Sequence, residues 1–287
     1  MSVTMLREKE RKAAAQAVLV DSARSTPRTR ARASSKKVAR LLTILPPLLL
    51  GAVLLGSWYY STARGLVPSY EVPSPADVWS SLWDGLTTGL FMKMAWVTVQ
   101  ESLGGFLLAV LVALPLGYGI AKWRLCAVTV NPYLAASQAI PALVIAPFLF
   151  IWLRGMTPFF VLCMLVVLFP MVITTALGFS TIDGSLREAA RVEGASFWPM
   201  LVRIEFPLAL PAIMAAIRTG LTLSIVGALV GEFVAGGDLG LGSLVMIAKS
   251  QYDMPLMFAT VVILAGMATL FYGIAWSLTR LSEFISM

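Results

Sequence analysis

The 287-residue sequence contains no histidine and only two cysteines, Cys126 and Cys163. Without an imidazole there is no His-based zinc site, Ser-His-Asp triad or Cys-His dyad. Two cysteines in separate hydrophobic regions form no disulfide framework and read as small apolar packing residues. Charge is scarce too. Only 13% of residues are Asp, Glu, Lys or Arg, about half the share of an ordinary globular domain, while 58% are hydrophobic. A G-x-x-x-x-G-K-[ST] phosphate loop is also missing, so nucleotide energy, if used, must come from another subunit. No catalytic residue and no metal site can be assigned.

What is present is a series of long apolar runs, each close to the roughly 20 residues that span a bilayer. They cover about residues 41–60, 94–121, 128–153, 158–179, 207–233 and 255–278, which predicts an all-α membrane protein of six spans. Trp58, Tyr59 and Tyr60 close the first run as an interfacial aromatic belt. A cleaved signal peptide is the alternative reading of that run, but the sequence before it is long and no A-x-A site follows. Between the first two spans, Ser74 or Asp77 can start a short amphipathic helix carrying Val78, Trp79, Leu82, Trp83 and Leu86. Pro132, Pro141 and Pro147 fall inside the third span, where neighbouring helices can re-satisfy the freed backbone groups.

Net charge is +7, and eleven of the 22 Lys and Arg residues lie in residues 1–40. That basic, Ala- and Ser-rich tail reads as disordered, attracted to anionic headgroups rather than to nucleic acid. The rest, 41–287, is the membrane domain. Six spans place both termini on one side. With that side cytoplasmic, the inner segments hold 17 basic residues and the outer ones four, Arg64, Lys93, Arg154 and Lys249. Arg218 lies inside a span. The excess of inner charge predicts cytoplasmic N- and C-termini.

The stretch 180–206 between spans four and five is polar and long for a connection between packed helices. Its first part suits a short helix with Leu186, Ala189 and Ala190 available for packing and Glu188, Arg191 and Glu193 as polar surface. Gly194 permits a turn, and Pro199 and Pro207 are expected to break the chain again. Such a segment either lies on the membrane surface or inserts into a groove of a soluble partner.

Glu188-Ala189-Ala190, Gly194, Ile204 and Phe206-Pro207 follow the spacing EAA, three residues, G, nine residues, I, one residue, LP, with Phe206 in place of Leu. This resembles the EAA loop of bacterial ABC-importer permeases, and the resemblance extends over most of residues 66–282. It implies a type I importer permease architecture in the bacterial inner membrane, with 180–206 carrying a cytoplasmic coupling helix. It also implies a second permease copy (a homodimer), two ATPase subunits holding ATP and Mg, and an extracytoplasmic solute-binding protein. No cofactor is implied in this chain. Glu188 and Arg191 are then the expected polar contacts at the ATPase joint, with Ala189, Ala190 and Gly194 allowing close approach and Ile204, Phe206 and Pro207 completing the motif. VPSPADVW and Pro141–Pro147 are similar to the branch that imports sulfonates, taurine, nitrate and thiamine-precursor pyrimidines. TVQESLGGF, ASQAIPALVIAP and VGALVGEFVAGGDLGLG are similar to members assigned to those pyrimidines or to riboflavin.

Ionisable groups at membrane depth cost a few kcal/mol, roughly 2.5–3.5 on insertion scales, and call for a partner or a role. From the expected span ends, Arg218 lies about 16 Å from the inner boundary and Glu101 about 11 Å from the outer one. In a hydrocarbon core of about 30 Å the depths nearly coincide, which predicts a Glu101–Arg218 charge pair. The alternative has Arg218 snorkelling to the inner surface. Arg218, Thr222 and Glu232 share one stripe of the fifth helix, and Ser137, Gln138 and Pro141 give the third a polar point. These are the candidate pathway residues, with helix–helix hydrogen bonding as the plainer role. Two acidic residues against one arginine favour a neutral heterocycle over a sulfonate, taurine or nitrate. A membrane scaffold recruiting a soluble enzyme through 180–206 is the competing function of another class.

Overall fold

The computed structural model describes residues 31–236 and 240–285, with side chains from Leu45 onward. Residues 1–30 of the basic tail, and Gly237 of the outer glycine-rich loop, lie outside the described residues. The described residues are helical without a strand. They divide into two units, residues 1–64 and 65–287.

In the first unit, α1 runs Ala31–Ala63 with Pro46 and Pro47 inside it. It carries the whole 41–60 run and begins ten residues before it, at Ala31. The Ala- and Lys-rich sequence there has good helix propensity and extends a helix already nucleated by the leucines. The Arg64 guanidinium stands 5.4 Å from the Tyr60 ring centroid, a cation–π contact.

The second unit opens with α2 (Pro75–Thr87), where Ser74 accepts a hydrogen bond from the Asp77 N–H and Pro75 occupies the first turn. Val78 is buried, but Trp79, Trp83 and Leu86 face outward, so only part of the expected apolar face packs on the protein. Next come α3 (Leu90–Lys122), α4 (Arg124–Ala139), α5 (Ala142–Trp152) and α6 (Thr157–Ser180). The expected third span, 128–153, is two helices meeting at 98°. Pro141 has no N–H to continue the ladder and drives Ile140 into the extended region (φ −97°, ψ 115°). Pro132 and Pro147 stay inside helices. Tolerance of proline by a membrane helix therefore fails at one of three positions.

The loop holds α7 (Gly184–Val192). The chain is then helical from Phe197 to Ala235, as α8 (Phe197–Met200), a π-helical turn (Leu201–Glu205) and α9 (Phe206–Ala235). Pro199 and Pro207 do not break it, contrary to expectation. Pro199 sits in a first turn, where its missing N–H has no partner to lose. Pro207 follows the wide π turn, which takes the chain past the carbonyl that its ring would strike. A short apolar helix, α10 (Leu241–Ser250), and α11 (Met254–Ile285) complete the chain. Among the described residues, four helices are long and apolar enough to cross a membrane, and the bent pair makes a fifth.

The core forms where α6 packs against both α3 and α9. Ala109, Ala113, Ala216 and Ala228 are fully buried there alongside Leu162, Val167, Met171 and Val172 of α6, while Leu107 and Leu111 of α3 point outward. Small residues at the closest approaches suit helices bathed in lipid, where close backbone approach drives association. Cys163 sits at the crossing. A Cβ on Gly105 would stand 2.1 Å from Cys163 Cβ, and one on Gly227 would stand 2.7 Å from its Cα. Gly105→Leu should therefore lower the thermal stability of the detergent-purified protein by about 1–3 kcal/mol or more. Gly266→Leu, where an added Cβ meets nothing within 4 Å, should leave the melting temperature near wild type.

Candidate functional site

Asp183 caps α7, its Oδ1 accepting the Ser185 N–H at 3.0 Å. That bond holds the exposed Asp183 carboxyl below its ordinary pKa. The cap is thus fully present above the usual carboxylate range and is lost as pH falls through the lowered value. Gly194 ends the helix at φ +85°, the left-handed conformation that favours glycine. Its N–H donates to the Arg191 carbonyl and that of Ala195 to the Ala190 carbonyl, satisfying the terminal acceptors. The turn expected at Gly194 is present.

The EAA residues divide by face. Ala190 is buried, whereas Glu188, Ala189 and Arg191 are exposed. Leu186 and Val192 are exposed as well, Val192 at 90%. The apolar residues expected to pack inward thus mostly point out, and Ala190 has no surface to offer a partner. Ile204 is half-buried, and Phe206 and Pro207 are exposed.

Beneath the loop lies a network not anticipated from the sequence. Glu205, at the end of the π turn, is fully buried. Lys122 Nζ donates to its Oε1 at 2.6 Å, Tyr118 Oη donates to Oε2 at 2.9 Å, and Arg187 Nε lies 3.1 Å from Oε1. Arg187 Nη2 also donates to the Phe179 carbonyl at 2.5 Å. The Tyr118 ring meets Phe179 edge-on at 5.0 Å. Glu205 is the one residue that the motif leaves open, between Ile204 and Phe206. The available signal was its place four residues before Ala209, on the buried stripe of α9.

A second buried carboxyl organises the other end of α9. Glu232 accepts from Thr98 Oγ1 at 2.6 Å and from the Gly242 N–H, and the Leu241 N–H donates to Thr98 Oγ1 at 2.9 Å. Glu232 therefore caps the N-terminus of α10, where backbone donors lack helical partners. It is fully buried and exposes nothing to a passing solute. Glu101 does not meet Arg218. Its carboxyl lies against that of Glu232, and neither of its oxygens receives a hydrogen bond from another group. Arg218 and Glu232 stand about 21 Å apart along one helix at 1.5 Å per residue, so a residue level with Glu232 cannot reach Arg218. The expected depths were counted from assumed span ends, whereas Glu101 lies level with Glu232, three residues from the end of α9 at Ala235. Arg218 is half-buried, and its Nε has no hydrogen-bond partner.

Ser137, Gln138 and Pro141 line a cavity of about 380 Å³ at the 98° break, together with Phe169 and Pro170. Arg218, Thr222 and Glu232 are not among its lining residues. Ser137 and Thr222 each donate to a carbonyl of their own helix, from Leu134 and Arg218. The six candidate pathway residues thus do not form one surface in this conformation.

Residues 105–281 match the family of binding-protein-dependent transport system inner membrane components. The chain belongs to this family. It is 39% identical over 230 residues to a riboflavin transport system permease protein of Chloroflexus aurantiacus, covering 80% of this chain and 85% of the relative. It is 26% identical to a putative aliphatic sulfonates transport permease protein of Bacillus subtilis, covering 85% and 89%. The fold is similar to that of the MetNI methionine ABC transporter in its inward-facing conformation. The TM-score there is 0.59 at 19% identity, covering 68% of this chain and 97% of the other. The protein is the permease subunit of an ABC importer, with the type I importer fold, and an inner-membrane component.

The permease gives the glycines around the start of α10 a structural role. A Cβ on Gly242 would stand 2.7 Å from Glu232 Oε2. Gly242→Ala should unseat α10, so that amide exchange across residues 241–250 accelerates while α6 keeps its protection. Equal protection of α10 in both proteins would contradict the capping role of Glu232.

Proposed function

We propose that this permease moves a neutral heterocyclic nutrient, of which riboflavin is the leading candidate, into the cytoplasm by alternating access. A binding protein outside delivers the solute. Two copies of this chain pair with two ATPase subunits that bind ATP and Mg, and residues 180–206 face the cytoplasm with both termini. The observation that carries the reading is the split of α7. Arg187 fastens it to Glu205 and to the Phe179 carbonyl, and Ala190 is buried, while Glu188, Ala189, Arg191 and Val192 stand exposed for a partner. A helix so held can act as a lever, whereas a surface linker needs no such fastening. The heterocycle reading is supported by the uncharged lining of the cavity at the helix break, where Gln138 offers hydrogen bonds and Phe169 a ring. It is supported also by likeness to a permease named for riboflavin. An aliphatic sulfonate is the second reading, favoured by the unpartnered Arg218 Nε and by the sulfonate-named relative.

Gly194→Trp tests the joint. An added Cβ there meets nothing within 4 Å of this chain, but any side chain at φ +85° strains the turn, so Gly194→Ala, which carries that strain without the indole, is the control. In proteoliposomes holding the permease, its ATPase and its binding protein, wild type should couple ATP hydrolysis to riboflavin uptake. Gly194→Trp should hydrolyse ATP without uptake, or fail to retain the ATPase. Uptake of an alkanesulfonate but not riboflavin would establish the second reading, and undiminished uptake by Gly194→Trp would contradict the joint.

A further inference from the structure

The coupling helix is joined to the spans by two short chain segments, Thr181–Asp183 before it and Glu193–Ser196 after it. The second contains Gly194, and neither is reinforced by regular structure. Chain connectivity alone would let α7 shift while the spans stayed still. The Glu205 carboxylate supplies a connection that does not run through the chain. It sits on the buried stripe that continues through Ala209, Ile213 and Ala216, so it moves with α9. Its partners come from two other elements: the hydrogen-bond donors Tyr118 and Lys122 near the end of α3, and Arg187 of α7 as an ion-pair partner. Arg187 extends the tie to α6 through the Phe179 carbonyl.

The π turn produces this placement. The Phe206 N–H donates to Leu201 O, five residues back, and the widened turn ends with Glu205 directed inward while Val202 and Arg203 stay exposed. Irregular turns of this kind recur at functional positions because they re-aim a side chain without ending the helix.

We propose that Glu205 is the positioning residue through which displacement of α7 reaches the membrane spans. It clamps Arg187 to the ends of α3 and α9 so that the four helices shift as one body. This rests on the permease reading of α7 as an ATPase-driven lever. The clamp is separable from folding. Lys122 and Arg187 keep 19% and 24% of their side chains exposed, so both cations stay hydrated when the carboxylate is lost. Glu205→Gln keeps the shape of the buried group and its capacity to accept the Tyr118 hydroxyl, and removes the charge that holds the lever.

The test uses the complete complex of permease, ATPase and binding protein in nanodiscs. A spin label is placed at Thr87→Cys, exposed at the end of α2 and one turn from the start of α3, in a Cys126→Ser background. Distances between the labels of the two permease copies are measured before and after trapping with ATP and vanadate. Wild type should show a shift in distance on trapping. Glu205→Gln and Arg187→Gln should trap nucleotide to the same extent and lose the shift, and Glu205→Asp should recover part of it. A full shift in both Gln variants overturns the proposal. So does loss of nucleotide trapping in proportion to ATPase bound, since the network would then only seat the loop. A wild-type complex that traps nucleotide without any shift removes the movement that the clamp would transmit. If wild type retains no ATPase, the permease reading itself falls, and the clamp with it.

Discussion

Cys163 occupies the space that two absent side chains leave, and the rest of the molecule depends on that contact. In lipid there is no hydrophobic drive to bring helices together, so association comes from close packing and buried hydrogen bonds. Gly105 and Gly227 let the backbones of α3 and α9 close on α6 at Cys163, and Gly117 repeats the approach against Thr175. The result is a three-helix block with small residues at its closest backbone approaches and Leu162, Val167, Met171 and Val172 buried beside them. A lever acts only on a body that resists deformation, so this seam is the condition for mechanical coupling at either end.

Each end of the block carries a buried glutamate with a different task. Glu205 gathers side-chain cations and a phenol from separate helices, a set of charge-assisted contacts that ties elements together. Glu232 gathers backbone N–H groups at the start of α10 and seats a short apolar helix beside the spans. Both are satisfied by donors, as burial requires. Glu101, pressed against Glu232 with no donor of its own, is the exception. The two buried glutamates that accept hydrogen bonds therefore sit where helices end and loops must be held.

Much of this was legible in the residues. The helix capped at Asp183 and closed at Gly194 follows from local rules that need no tertiary knowledge. Four of the six apolar runs appear as long helices near their expected bounds, and a fifth lies within α1. What escaped depends on which face a residue presents and on its neighbours across the packing. Three prolines in the third run looked alike, and only Pro141 breaks the helix, because the chain reverses there and nothing compensates. Pro199 and Pro207 looked like breakers but fall in a first turn and after a π turn. Depths counted from assumed span ends suggested pairing Glu101 with Arg218, yet Glu101 lies level with Glu232, another acid, about 21 Å along α9 from Arg218. Glu205 was passed over as the open position of a motif, although its register with Ala209 placed it on the core face.

The central claim is that an ATPase seats on the exposed side of α7. Site-directed crosslinking from Glu188→Cys in native membranes is the most direct measurement. The account predicts a crosslink from this position to a nucleotide-binding subunit, and none from Ala190→Cys on the buried side of the same helix. Crosslinks from Glu188→Cys to lipid or to other proteins alone, or reaction of that cysteine with an impermeant reagent added outside intact cells, would contradict it.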